Sequence, residues 1–212
     1  MQSARLPAFD HYFLTPMRLT TLALTAAALF AALPAQAATM PTLEHIQAAV
    51  QAGVAKSQAK MQSSIPIPVK ATSLQGCQDS QEVPGEVVCL VGMSAAMRDG
   101  FMVLPLRNDN GTWVGVERKD ARFAGPSPAE AQAMIRAWAK EEVARNPEAA
   151  KDVQMQEAQS TMQVKAVNEC DVKRKTGYLV CNTELSVPSR PEAIKTELTF
   201  MLENAGWRYV PR

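Results

Sequence analysis

The chain carries an internal duplication, and this limits its folds more than any other feature. Its four cysteines fall into two close pairs, Cys77 with Cys89 and Cys170 with Cys181. The residues around them also match. Gly85-Glu86-Val87-Val88-Cys89 reads against Gly177-Tyr178-Leu179-Val180-Cys181, with a glycine four places before the cysteine in both. Val69-Lys70-Ala71 precedes the first pair and Val164-Lys165-Ala166 the second, while Asn110-Gly111-Thr112-Trp113 and Asn204-Ala205-Gly206-Trp207 close the two halves. A period of roughly 85 to 95 residues, present twice, is longer than a solenoid repeat and describes a duplicated domain.

Each half opens on a helical pattern. Leu43, Ile46, Val50, Val54 and Met61 fall near one stripe and predict an amphipathic helix from Pro41 to Met61. In the second half, Ser127-Pro128-Ala129-Glu130 combines a capping serine, a proline at the first helical position and a glutamate able to return to the cap. Met134, Ile135, Trp138 and Val143 supply its apolar side, and Pro147 ends it. The period then changes to alternation. Ile194, Thr196, Leu198, Phe200 and Leu202 point one way along a strand, as do Leu179, Cys181, Thr183 and Leu185, and Val87, Cys89, Val91 and Met93. Asn108-Asp109-Asn110-Gly111 and Glu203-Asn204-Ala205-Gly206 provide turns between paired strands. The fold class is therefore α+β, with two tandem modules at 38–124 and 125–212, each a helix followed by an antiparallel sheet of three strands and a short last one.

In that register a hairpin brings each cysteine pair to facing positions on neighbouring strands. Four cysteines allow three connectivities, and the repeat favours the local one, because an equivalent bridge then forms in each half. Each loop of this size is worth about 3 kcal/mol in the chain-entropy account.

Export agrees with oxidised cysteines. Leu19 to Leu33 is almost entirely Leu, Ala, Thr and Phe without charge, preceded by Arg18 and followed by Pro34 and Ala35-Gln36-Ala37, the order of a signal peptide. Residues 1–37 are read as a leader cleaved before Ala38, with Met1 or Met17 as start, and the mature chain as periplasmic or secreted, with no stable membrane anchor. Beyond that leader, which holds Arg5, Asp10 and Arg18, acidic and basic residues balance, and no basic stripe with interleaved aromatics suggests nucleic acid. One histidine, His45, remains outside the leader. With the cysteines paired, it leaves neither a metal ligand set nor a hydrolase triad, so no cofactor, metal or catalytic residue is expected. Carboxylate pairs such as Glu141 with Glu142 or Glu157 with Glu169 read as solvated surface. Trp113 and Trp207, at matched positions, read as core or as the flanks of a shared groove.

One short motif carries a resemblance. Gln81-Glu82-Val83-Pro84-Gly85 is similar to the Gln-x-Val-x-Gly loop of the cystatins and falls in the first hairpin after a helix and one strand. The whole α-β-β-β pattern resembles the cystatin-like and NTF2-like folds. That resemblance implies a sheet curved around a helix, with Gln81, Val83 and Gly85 on a wedge able to enter a papain-like protease cleft. The expected function is a non-catalytic binding module whose partner is another envelope or extracellular protein. The alternatives are an NTF2-like carrier or enzyme with a helix–sheet cavity, and a cystatin-like protease inhibitor.

Overall fold

Thr42 and Ser127 begin the two long helices by the same device. The Thr42 hydroxyl accepts the His45 N–H at 3.4 Å while the His45 imidazole Nδ1 accepts the Thr42 N–H at 3.2 Å. The Ser127 hydroxyl accepts the Glu130 N–H at 3.3 Å, and the Glu130 carboxylate accepts the Ser127 N–H at 2.8 Å. Each pair satisfies orphan donors of a first helical turn. In the computed structural model, which describes residues 40–61, 68–96, 98–203 and 206–211, these helices are α1 (Leu43–Met61) and α2 (Pro128–Arg145). The proposed leader lies outside the described residues. Asn146 ends α2, and Pro147 opens a 3₁₀ turn (Pro147–Lys151) instead of extending the helix. A third helix, α3 (Val153–Ser160), was not expected from the sequence.

The strands form two separate antiparallel meanders. β1 (Val69–Asp79), β2 (Glu86–Ala95), β3 (Arg98–Asp109) and β4 (Thr112–Gly115) make the first sheet in that order. β5 (Gln163–Val172), β6 (Leu179–Ser186), β7 (Ile194–Glu203) and β8 (Gly206–Val210) make the second. Cys77 lies opposite Cys89 and Cys170 opposite Cys181, and both bridges are formed. The first strand of each sheet carries two bulges, which irregularise an edge otherwise open to pairing.

The bridges align the halves, and this corrects one sequence match. Val164 faces Leu185 and Ala71 faces Met93, so Ala71 is the counterpart of Val164. The identical tripeptides Val69-Lys70-Ala71 and Val164-Lys165-Ala166 therefore sit two residues out of register. A hydrogen bond confirms the alignment. The Gln47 side-chain oxygen accepts the Ala71 N–H at 2.6 Å, and that of Gln132 accepts the Val164 N–H at 3.0 Å. Each helix thus ties down one backbone donor of its own first strand.

Helix α1 covers one face of the first sheet, burying Ile46 and Ala49 against Val87, Cys89, Val91, Leu106 and Trp113. The opposite face is interior at its centre. It contributes Val88 and Leu90, both fully buried, to a larger core with Phe123, Ile135, Ala139, Leu179, Cys181 and Phe200. Full burial of one such side chain stabilises by roughly 1.5–3 kcal/mol. The two sheets approach closely here. A Cβ on Gly76 would meet Leu202 at 2.6 Å, one on Gly177 would meet Phe101 at 2.8 Å, and the Phe101 N–H donates to the Arg174 carbonyl at 2.7 Å. Residues from Ala38 onward cluster as one compact unit.

The second sheet is covered differently. Helix α2 and the back of the first sheet share the face bearing Leu179, Cys181 and Phe200. Its other face carries Asn182, Lys195 and Glu197, all exposed. By the cysteine alignment, Asn182 stands where the first half has Leu90, and its β7 partner Glu197 where the first half has Val103.

Candidate functional site

The loop singled out in the sequence joins β1 to β2 and is held from within. The Ser80 hydroxyl accepts the N–H groups of Glu82 and Val83 at 3.3 and 3.2 Å, the Ser80 N–H donates to the Glu86 carbonyl at 2.9 Å, and the Glu86 N–H donates to the Val83 carbonyl at 3.2 Å. Gly85 has φ of 81°, which favours glycine there. Arg118, from the segment after β4, anchors the loop by reaching Glu82 at 2.6 Å and the buried Glu86 at 3.1 Å. The Glu82 hydrogen bond, opposed by desolvation and aided by the charges of Glu86, Glu82 and Asp120, holds the guanidinium above its ordinary value. Gln81 and Gly85 are exposed, whereas Val83 is half-buried. The valine is therefore not a free apolar tip.

This loop meets the second half across a groove of about 470 Å³, whose far walls are Arg122 to Pro128 and Val167 to Cys170. Gly125 lies directly over the second disulfide. A Cβ there would stand 2.5 Å from the Cys170 sulfur and 2.8 Å from that of Cys181, so only glycine lets the linker pass. Pro126 beside it is buried.

The two matched tryptophans do not share a groove. Trp113 is 6% exposed and belongs to the α1 core. Trp207 is half-buried against the larger core, edge-on to Phe123 at 6.3 Å. It lines a groove of about 710 Å³ between α2 and β8. There Trp138 meets Tyr209 edge-on at 5.4 Å, with Met134 beside them and Glu141 and Arg145 at the rim. Sequence reasoning placed Trp138 on the apolar side of α2 and passed over Tyr209. The signal available was an aromatic in each of two elements that the fold predicts to be neighbours.

A third groove, of about 580 Å³, lies between α3 and the second sheet. Met162, Leu185, Val187, Ile194 and Leu198 supply apolar walls, while Glu157, Ser189 and Arg190 supply polar groups. The Ser189 N–H donates to the Glu157 carboxylate at 3.0 Å. Sequence reasoning missed this site because it missed α3.

The carboxylates paired in the sequence have separate surroundings. Glu157 is in the α3 groove, whereas Glu169 is on β5, 3.4 Å from the Asn182 amide and 3.9 Å from Arg122. Glu142 is engaged by Arg145 at 2.8 Å. His45 is exposed and committed to the start of α1. Among the described residues no group of three or more His, Cys, Asp or Glu is placed to hold a metal, and no helix is long and apolar enough to cross a membrane. Two of the surface grooves have aromatic or apolar walls and charged groups beside them, while a further one of about 860 Å³ on the exposed face of the second sheet is polar, with Glu169, Asn182, Lys195 and Glu197 among its walls. The chain matches no family model and no curated protein at a significant level.

Proposed function

We propose that the chain is a non-catalytic binding protein of the periplasm or extracellular space, and that it engages another envelope or extracellular protein. One observation carries this reading. The space between α2 and its sheet, where a carrier or enzyme would keep a ligand, is filled by Ile135, Ala139, Leu179, Cys181 and Phe200, each 4% exposed or less. Recognition is then a property of the outer surface. The groove of Trp138, Trp207 and Tyr209 suits it, since half-buried aromatics with a charged rim are the usual anchors of protein contacts. The two disulfides agree with an oxidising compartment.

The test is affinity capture by the mature protein from the envelope fraction of its own source, beside an Arg145→Asp variant. Arg145 is exposed, so the change leaves the fold intact. A partner held by the wild type and released by the variant supports the reading; no retained partner overturns it.

The α3 groove favours a second reading, a small-molecule carrier of the NTF2-like kind. It joins helix, sheet and a carboxylate in one largely apolar site. A cystatin-like inhibitor is a lesser alternative, resting on the Gln81–Gly85 loop.

A further inference from the structure

Resting on the carrier reading above, we propose that the groove between α3 and the second sheet binds a free single-chain fatty acid, with its carboxylate at Arg190 and its tail on Leu185, Val187, Ile194 and Leu198. The groove's composition sorts by chemistry. Its walls are aliphatic side chains from the start of β7 and the end of β6, closed on one side by Met162 and by Val153 of α3, itself 60% exposed. A surface aliphatic beside an apolar trough gains by being covered. Its size lies within the range of small-ligand sites.

The polar groups select the head. Glu157 is turned to the Ser189 N–H at 3.0 Å, which ties the β6–β7 connection to α3 and satisfies that carboxylate locally. The Arg190 N–H donates to the Val187 carbonyl at 3.1 Å, which fixes the backbone of the same turn. Arg190 is among the residues that line the groove, and the planar fork of a guanidinium matches a carboxylate. The groove holds both charges, but Glu157 already accepts the Ser189 N–H, so the head group is assigned to Arg190. An alkyl carboxylate satisfies both parts. The site belongs to the second half alone, because α3 and the Val187–Arg190 turn have no described counterpart in the first.

The probe is sodium laurate, titrated calorimetrically below its aggregation concentration into the intact oxidised protein. Dodecanol and phosphatidylcholine vesicles serve as parallel ligands. Laurate is expected to bind the wild type, to lose about tenfold in affinity in Arg190→Ala, and to recover in part in Arg190→Lys. Dodecanol should be indifferent to both changes. Val153→Asp, at an exposed position that folding tolerates, should weaken both ligands. Absence of laurate binding overturns the proposal, as does binding unaffected by Arg190→Ala and Val153→Asp, or binding to vesicles in place of free laurate. Each of those results leaves the protein-partner reading standing, because its test rests on Arg145 and a different groove.

Discussion

Exchanging Leu90 and Asn182 in type tests the arrangement of the two sheets. These residues are counterparts in the duplicated unit, each one position after the bridged cysteine of the second strand. Leu90 is fully buried in the core shared by both halves, and Asn182 is exposed. In Leu90→Asn the lost apolar burial costs about 2–3 kcal/mol, and an amide left without partners costs about 1–3 more. The sum is about 4 kcal/mol, or about 8–16 °C in Tm for a domain of this size. Asn182→Leu removes only an exposed 3.4 Å hydrogen bond to Glu169 and should change stability by less than about 0.5 kcal/mol. Thermal unfolding by circular dichroism, without reductant, measures both. Equal shifts, or a shift of less than about 3 °C for Leu90→Asn, would refute the claim that the back of the first sheet is interior.

Other outcomes follow from particular contacts. Non-reducing peptide mapping should join Cys77 to Cys89 and Cys170 to Cys181, and replacing the second pair by alanine should cost about 3 kcal/mol. The Ser127 hydroxyl and N–H hold the Glu130 carboxyl below its ordinary value of 4.5, so its contribution is present above that pH and fades as pH falls through the lower folded value. Wild type should therefore exceed Glu130→Gln by about 0.5 kcal/mol at neutral pH, and the difference should close in acid denaturation profiles below pH 4.5. Because Val83 is half-buried and its loop is pinned, micromolar protein should leave papain uninhibited; inhibition that Val83→Asp abolished would favour the cystatin-like reading over the others. Mass spectrometry of the exported chain should begin at Ala38, and an intact 17–37 segment would remove the argument for export.

Much of the fold was legible because it rests on local chemistry. Ser127, Pro128 and Glu130 announce a helix start through side chains that act within one turn, and the cap forms as read. Alternation along Ile194 to Leu202 gave the right faces because one face is buried against α2. The local cysteine pairing followed from the repeat, since a hairpin in each half then forms an equivalent bridge. What stayed hidden depends on distant partners. Helix α3 has only Val153, Met155 and Ala158 as apolar residues, too few for a period, and its start is marked only by Asp152 accepting the Gln154 N–H at 2.8 Å. The shift of the Val-Lys-Ala match does not come from the bulges, which number two in each first strand; Val69 stands two residues farther from Cys77 than Val164 does from Cys170, a difference in spacing that identity of the tripeptides masked. That Trp113 is core while Trp207 borders a groove depends on which half lies beside each sheet, and repetition in sequence does not encode it. The Gln47 and Gln132 bonds escaped notice because a lone glutamine on a helix has no signature.

The polar back of the second sheet has a consequence for assembly. In a duplicated unit, an apolar back on the first copy fits the front of the second. If the second copy kept the same back, an apolar face would lie at the outside of the molecule. Asn182, Lys195 and Glu197 stand there instead. The outer surface of the duplicated unit is thereby polar, as it is in the end repeats of longer arrays.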